Sequence, residues 1–147
     1  MNRLSTRGFS LVELAVVLVI FGLVLAFSVP AYQHMTTMQN LTGAASNIAA
    51  QVRLMRELAI NTGSSQTMHF FYATPGAGDY HIHNGATMAP FWSLPRNITY
   101  FWGGGTSSVM TATNDGRING SGMIILQDPT LTRDTVSVLA SGMVLAQ

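Results

Sequence analysis

The chain contains no cysteine, which excludes disulfide scaffolds, thiolate metal sites and cysteine nucleophiles. It also contains no lysine, since all seven residues counted as Lys or Arg are arginine, and this excludes P-loop and Schiff-base lysine chemistry. Charged residues make up only 9% of its 147 positions. The sequence therefore predicts one modest domain with little polar surface. It also excludes the enzyme classes that depend on a cysteine nucleophile, a P-loop lysine or a Schiff-base lysine.

Positive charge is also scarce outside the N-terminus. Arg3 and Arg7 have no acidic neighbour, and without them seven minus two, that is five, arginines face six acids. After Arg96 only Arg117 and Arg133 are basic, and aspartates lie close to both in the sequence. Because nucleic-acid binding depends on neutralising phosphates, this distribution argues against nucleic acid as a partner.

What is present is a long apolar segment near the N-terminus. Residues 14–29 carry no charge, and the mostly apolar stretch extends back through Glu13 to Phe9. About 20 such residues suffice to cross a bilayer as a helix. Arginines precede the segment and none follows before Arg53, so the positive-inside rule predicts a cytoplasmic N-terminus and an exported C-terminal part.

An ordinary signal peptide, cleaved near residues 26–31, is the alternative interpretation of this segment. The apolar stretch is longer than usual for a signal, and the carboxylate of Glu13 interrupts its start, where an ionised group is costly and usually has a role. We therefore favour a retained membrane anchor. A secreted β-rich binding protein with a removed signal stays open as a function of another class.

The helical pattern continues beyond the apolar segment. Pro30 predicts a kink, because proline removes one backbone donor from a helix. The helix should end near Gly63, which suits a left-handed C-terminal cap. Between them, apolar residues recur every three or four positions and predict one buried face of an amphipathic helix: Leu41, Ala45, Ile48, Val52, Met55 and Ala59.

The remainder of the chain has the pattern of a small antiparallel β domain, which makes the predicted fold class α+β. Short apolar runs alternate with Gly, Asn, Asp and Pro turn residues. A turn at Ser141 and Gly142 predicts a C-terminal hairpin. The predicted strands cover residues 66–73, 80–83, 98–102, 108–113, 122–126, 135–139 and 143–146.

The segment Arg7-Gly8-Phe9-Ser10-Leu11-Val12-Glu13-Leu14, followed by the apolar run and Pro30, resembles the class III leader of type IV prepilins and type II secretion pseudopilins. The resemblance implies that a prepilin peptidase cleaves after Gly8 and methylates Phe9, and that Glu13 is the assembly residue. It further implies a pilin-like fold with four parts. These are a leader (1–8), a transmembrane assembly helix (9–29), its amphipathic continuation (30–62) and a globular β domain (63–147).

The spacing of Phe9 and Glu13 has a chemical rationale. Cleavage leaves an α-amino group about one helical turn from a carboxylate, and both charges are costly in lipid unless they are paired. The amine of an incoming subunit could pair with Glu13 of a neighbour and favour one axial register. The alternative is a lone Glu13 that reaches the headgroups and pairs with nothing.

Within the superfamily, the stretch from Arg56 to Gly63 and the C-terminal strand-turn-strand are similar to H-type minor pseudopilins and FimT-like minor pilins. This resemblance implies a structural subunit of a type II secretion pseudopilus, with a minor pilin of a type IV pilus as the alternative, and no catalysis or cofactor. Its implied partners are the prepilin peptidase, other subunits through the N-terminal helix, and the inner-membrane assembly platform. A solvated helix end is the alternative for Arg56 and Glu57.

Three groups of residues in the β part are candidate binding sites. His81 and His83 share one strand face, with His69 on another strand, and we favour surface histidines over a metal site. The segment Asp128, Thr130, Thr132 and Asp134 offers few calcium ligands and is interpreted as a turn. Phe91, Trp92, Tyr100, Phe101 and Trp102 are expected in the sheet core rather than in an exposed binding patch.

Overall fold

The computed structural model describes residues 10–70, 79–85, 87–88 and 91–146, with the backbone alone at 87–88. The chain divides into two units, Met1–Thr36 and Thr37–Gln147. One helix, α1 (Leu11–Thr62), has residues in both units. The helix continues through Pro30. The kink predicted at this residue stays a prediction.

The second half of α1 buries the predicted stripe. All six of its residues are at most 2% exposed, and Ala44 and Ala49 are buried beside them. The helix ends at Thr62, and Gly63 follows with a φ of 65°, in the left-handed region. Both the buried face and the helix end predicted from the sequence are confirmed.

The strands form two antiparallel sheets in the described part of the chain. The first sheet has the order β3-β2-β1-β5-β6 and the second the order β4-β7-β8-β9. The strands are β1 (Gln66–Phe70), β2 (Tyr80–Asn84), β3 (Thr87–Met88), β4 (Thr99–Phe101), β5 (Val109–Ala112), β6 (Ile118–Asn119), β7 (Gly122–Gln127), β8 (Arg133–Val138) and β9 (Val144–Ala146).

Each of the seven predicted strands overlaps an observed strand, whereas β3 and β6 were missed. Each of these two has only two residues, too few for an alternating pattern to be recognised. The predicted end of the first strand, residues 71–73, lies outside the described residues. The C-terminal hairpin is confirmed, because β8 pairs with β9 around a turn in which Gly142 has a φ of 83°.

Side chains from the helix and from both sheets share one hydrophobic core. Alternation along β1 buries Gln66, Met68 and Phe70, while Thr67 and His69 are half-buried. The second sheet contributes its own alternate residues, such as Ile124 and Leu126 of β7. This is the predicted α+β architecture, a helix packed on a small antiparallel β domain.

Candidate functional site

The first half of α1 carries apolar side chains on all its faces. From Leu11 to Val29 its large apolar residues are exposed, including Leu11 at 85% and Phe27 at 78%. The helix is long and apolar enough to cross a membrane. A helix that is hydrophobic all round is stable only where lipid or other protein covers it.

Glu13 lies at the start of this surface, in a hydrogen-bond arrangement with Ser10. The backbone N–H of Ser10 donates to Oε2 of Glu13 over 3.2 Å, and the backbone N–H of Glu13 donates to Oγ of Ser10 over 3.3 Å. This reciprocal pair is a capping box, which satisfies two N–H groups at the helix start. Glu13 therefore has a role within its own chain, at the start of α1. Its pairing with a neighbouring subunit, and the alternative of a Glu13 that reaches the headgroups unpaired, both stay predictions. Gly8 and Phe9 lie outside the described residues.

Two arginines of α1 donate hydrogen bonds to backbone carbonyls of the β domain. Nη2 of Arg53 donates to the carbonyl of Val144 at 3.0 Å, and Nε of Arg56 donates to the carbonyl of Gly116 at 2.8 Å. A Cβ at Gly142 would come within 2.6 Å of the Gly116 carbonyl, so only glycine fits beside this contact. The interpretation of Arg56 as a solvated residue is wrong, whereas Glu57 is exposed.

The segment from Asp128 to Thr132 is a turn, as predicted, whereas Asp134 lies in β8. Oδ1 of Asp128 accepts hydrogen bonds from the backbone N–H groups of Thr130 and Thr132, at 2.9 and 2.8 Å. The hydroxyl of Thr130 also donates to this carboxylate, at 2.8 Å from Oδ1. Leu131 takes a positive φ of 66° at the tip. The carboxylate of Asp128 thus bonds to its own loop.

The sheet register brings the three histidines together. His69 of β1 lies directly opposite His81 of β2, and the ring centroids of His69 are 5.2 Å from His81 and 4.9 Å from His83. His81 is only 5% exposed, so the expectation of surface histidines is wrong for this residue.

The described residues contain no group of three or more His, Cys, Asp or Glu side chains placed to hold a metal ion. The stacking of the histidines gives the physical reason. The planes of His69 and His81 differ by 8°, and those of His69 and His83 by 19°. An imidazole nitrogen binds a metal in the plane of its ring, and nearly parallel planes do not converge on one ion.

The aromatic residues divide between the core and the surface. Trp92 and Tyr100 pack against the core, as predicted. Phe91 and Trp102 are 51% and 60% exposed, so their assignment to the core is wrong. Phe101 is half-buried under the guanidinium of Arg133, whose Cζ lies 3.6 Å from the ring centroid.

Comparison with known proteins places these features in a family context. Residues 3–29 match the prokaryotic N-terminal methylation motif. The fold is similar to the minor pseudopilin EpsH of the type 2 secretion system of Vibrio cholerae, with a TM-score of 0.58 at 10% identity, over 74% of this chain and 96% of that one. It is equally similar to the type IV minor pilin FimU of Pseudomonas aeruginosa, with a TM-score of 0.58 at 12% identity, over 77% of this chain and 92% of that one.

The chain has the motif and the fold of the type IV pilin and pseudopilin superfamily. No curated protein matches it by sequence. Both structural neighbours are pilin-type subunits, and an apolar N-terminal helix with this motif fits a membrane-anchored pilin.

Sequence reasoning missed the capping box, although its signal, Ser10 followed three residues later by Glu13, was present. It also missed the contacts of Arg53 and Arg56. Those contacts join residues 91 and 60 positions apart, for which a single sequence carries no local signal.

Proposed function

We propose that this chain is a minor pseudopilin-like structural subunit of a type II secretion pseudopilus, and that it supports protein secretion across the outer membrane without catalysis. The observation that carries the proposal is the exposed apolar half of α1, which leads into a separately packed unit. The similarity to EpsH supports the same role. An exposed apolar surface of this extent is typical of a site of contact with a membrane or with other protein chains.

In this proposal residues 9–29 anchor the subunit in the bacterial inner membrane before assembly, with the N-terminus cytoplasmic and the β domain periplasmic. Other subunits then cover the same apolar surface in a filament. Once these helices have left lipid, burying one Leu, Ile, Val or Phe side chain against a neighbour stabilises by about 1.5–3 kcal/mol relative to exposing it to water. Lateral packing of the helices would therefore supply most of the cohesion of the filament. The inner-membrane assembly platform and neighbouring subunits are the partners.

Processing by a prepilin peptidase precedes assembly in this proposal. Cleavage after Gly8 creates the amine of Phe9, and its methylation leaves a cation at the end of the apolar helix. Glu13 of a neighbouring subunit then pairs with this amine and sets the axial register. The capping box supports this role, because it holds the Glu13 carboxylate at the helix N-terminus, where the helix dipole stabilises a negative charge that can attract the amine.

Processing is tested by the intact mass of the protein from its native membranes. We expect a chain that begins at methylated Phe9, and we expect Gly8→Leu to retain the full leader, because a bulky side chain replaces the residue at the proposed cleavage site. A chain that begins near Ala31, or an unmethylated chain that begins at Met1, would show that the proposal is wrong. A normally shortened Gly8→Leu product would refute the assigned cleavage site.

Register is tested by Glu13→Ala with Ser10→Ala as the matched control. Each substitution removes one half of the capping box, so both weaken the helix start by about 0.5–2 kcal/mol. We expect both variants to be processed, but only Glu13→Ala to lose incorporation into the filament, measured by its amount in purified filaments. Equal incorporation of the two variants would contradict the register role of Glu13.

A minor pilin of a type IV pilus is the second candidate, favoured by the similarity to FimU. It would prime fibres for adhesion, motility or DNA uptake. Deletion of the gene separates the two machines, since a pseudopilin mutant loses secretion while a minor pilin mutant loses twitching and transformation. The same mass measurement tests the third possibility, a secreted binding protein whose signal has been removed.

A further inference from the structure

The three histidines of the five-stranded sheet form a second site, distinct from the apolar helix. Their rings stack on one another, with centroids 4.9–5.5 Å apart. The strand alternation places them on the face opposite to the core residues Met68 and Ile82. We call His69, His81 and His83 the histidine cluster.

We propose that the histidine cluster is a proton-sensitive device, in which acidification opens the pairing of β2 with β1 while the four-stranded sheet stays closed. The first argument is geometric. Like charges directly opposite one another on neighbouring strands are destabilising, and His69 lies opposite His81 in the register. Protonation of these two residues would place two such charges 5.2 Å apart, measured between ring centroids.

The residues that the described neighbouring strands place beside the cluster are not acidic. On β5 the residues facing His69 and its neighbour Thr67 are Val109 and Thr111, neither of which titrates. On the other side the ring of Phe91 lies 4.8 Å from His81. The residues at 71–78 and 86–90 include no Asp, Glu, His, Lys or Arg in their sequences.

The acid nearest to the cluster in sequence is Asp79, two residues before His81. Its carboxylate accepts a hydrogen bond from the backbone N–H of Leu94 at 2.5 Å. Burial raises the pKa of Tyr80, and the charge of Asp79 raises it further by a smaller amount. Asp79 is not among the groups that shift the pKa of His69 or His81.

The titration of the histidines agrees with this geometry. Burial, followed by the charge of His83, lowers the pKa of His69 below 6.5. Burial, followed by the charges of His69 and His83, lowers the pKa of His81 below the same value. Well above pH 6.5, His69 and His81 are neutral whether or not β2 is paired with β1, and the pairing is favoured. As the pH falls below 6.5, the open form, in which β2 has separated from β1, binds more protons than the paired form. Acid therefore shifts the equilibrium towards opening.

Opening would begin at one edge of the sheet. The order β3-β2-β1-β5-β6 places β2 next to the edge strand β3, and two of the three histidines lie on β2. The helix and the second sheet contribute none of the histidines of the cluster. The device therefore belongs to β1 and β2 and is independent of the function proposed for the apolar helix.

Hydrogen exchange of the full-length chain in detergent, between pH 7.5 and 5, tests the proposal. After correction for intrinsic exchange rates, each proton taken up on opening raises the opening constant at most about tenfold per pH unit. We expect a slope of one to two protons for the amides of β2 and a smaller slope for β7 and β8. Equal slopes in the two sheets would overturn the proposal, because they would indicate global unfolding alone.

Variants locate the effect. His69→Gln should reduce the β2 slope by about one proton, whereas His34→Gln should leave it unchanged, because His34 is exposed on α1 and outside the cluster. An unchanged slope in His69→Gln would contradict the proposal. Should that variant fail to fold, His81→Gln on the neighbouring strand replaces it, with the same expected reduction and the same contradicting result.

Nuclear magnetic resonance of the wild-type histidine rings provides a readout that needs no variant. The ring signals of His69 and His81 should titrate with midpoints below pH 6.5. Midpoints at or above 6.5 for both residues would refute the device, because proton uptake would then favour the closed sheet or leave it unaffected.

Discussion

The two halves of α1 share one backbone conformation and carry opposite surfaces. From Leu11 to Val29 apolar side chains are exposed on every face. From Leu41 to Ala59 a single stripe is buried and the other positions are mostly polar or small, although Leu54 and Leu58 are exposed. The first half therefore depends on lipid or other subunits for its cover, and the second half depends on the strands of its own chain. The first half of α1 is therefore stable only in contact with lipid or other protein, while the second half stabilises the fold of its own chain.

The largest expected effect comes from a charge in the buried stripe. Ile48→Asp places a carboxylate at a position with 0% exposure, and a buried unpaired charge costs on the order of 3–5 kcal/mol. We expect the second unit to unfold, observed as a loss of cooperative urea unfolding monitored by tryptophan fluorescence. Asn47→Asp, one residue away and exposed, should leave the transition unchanged. A stable Ile48→Asp variant would remove the distinction between the two halves.

A charge in the exposed apolar half should have the complementary effect. Leu18→Arg costs about 2.5–3.5 kcal/mol in the middle of a membrane span. We expect less of the protein in the membrane fraction and an unaltered urea transition of the second unit. His34→Arg, beyond the apolar run, is the control for membrane association. If Leu18→Arg lowered the stability of the second unit, the two halves would not be independent.

A smaller effect is expected for the contact between the helix and the turn at Gly116. Arg56→Gln removes a charged donor at 2.8 Å from the Gly116 carbonyl, and such hydrogen bonds contribute about 1.5–3 kcal/mol. We expect a lower urea midpoint and unchanged membrane association. Glu57→Gln changes a charge at an exposed neighbouring position and should have little effect on either measurement. An equal loss in both variants would contradict the assignment of the effect to the hydrogen bond with Gly116.

The predictions that succeeded rest on local patterns. The stripe from Leu41 to Ala59 and the cap at Gly63 follow from side-chain spacing and backbone freedom within one element, and both are confirmed. The predictions that failed concern side chains whose surroundings come from distant parts of the chain. His81 was expected at the surface and is buried, and Trp102 was expected in the core and is exposed.

The reason is that exposure on a strand depends on what covers each face of the sheet. Alternation indicates that His81 and His83 share a face, but not that His69 lies opposite them or that Phe91 packs against His81. The same holds for Phe101, which is half-buried under Arg133 from a strand that is not its sheet neighbour.

The sequence by itself determined the apolar segment, the amphipathic helix that continues it, most of the strands and the resemblance to prepilins, because each depends on residues close together in the chain. Only the tertiary structure decided how nine described strands divide into two sheets, where Arg56 binds, and that three histidines stack. These features depend on strand register and on contacts between residues far apart in the sequence. Such contacts form only when the chain folds, so no local pattern in the sequence predicts them.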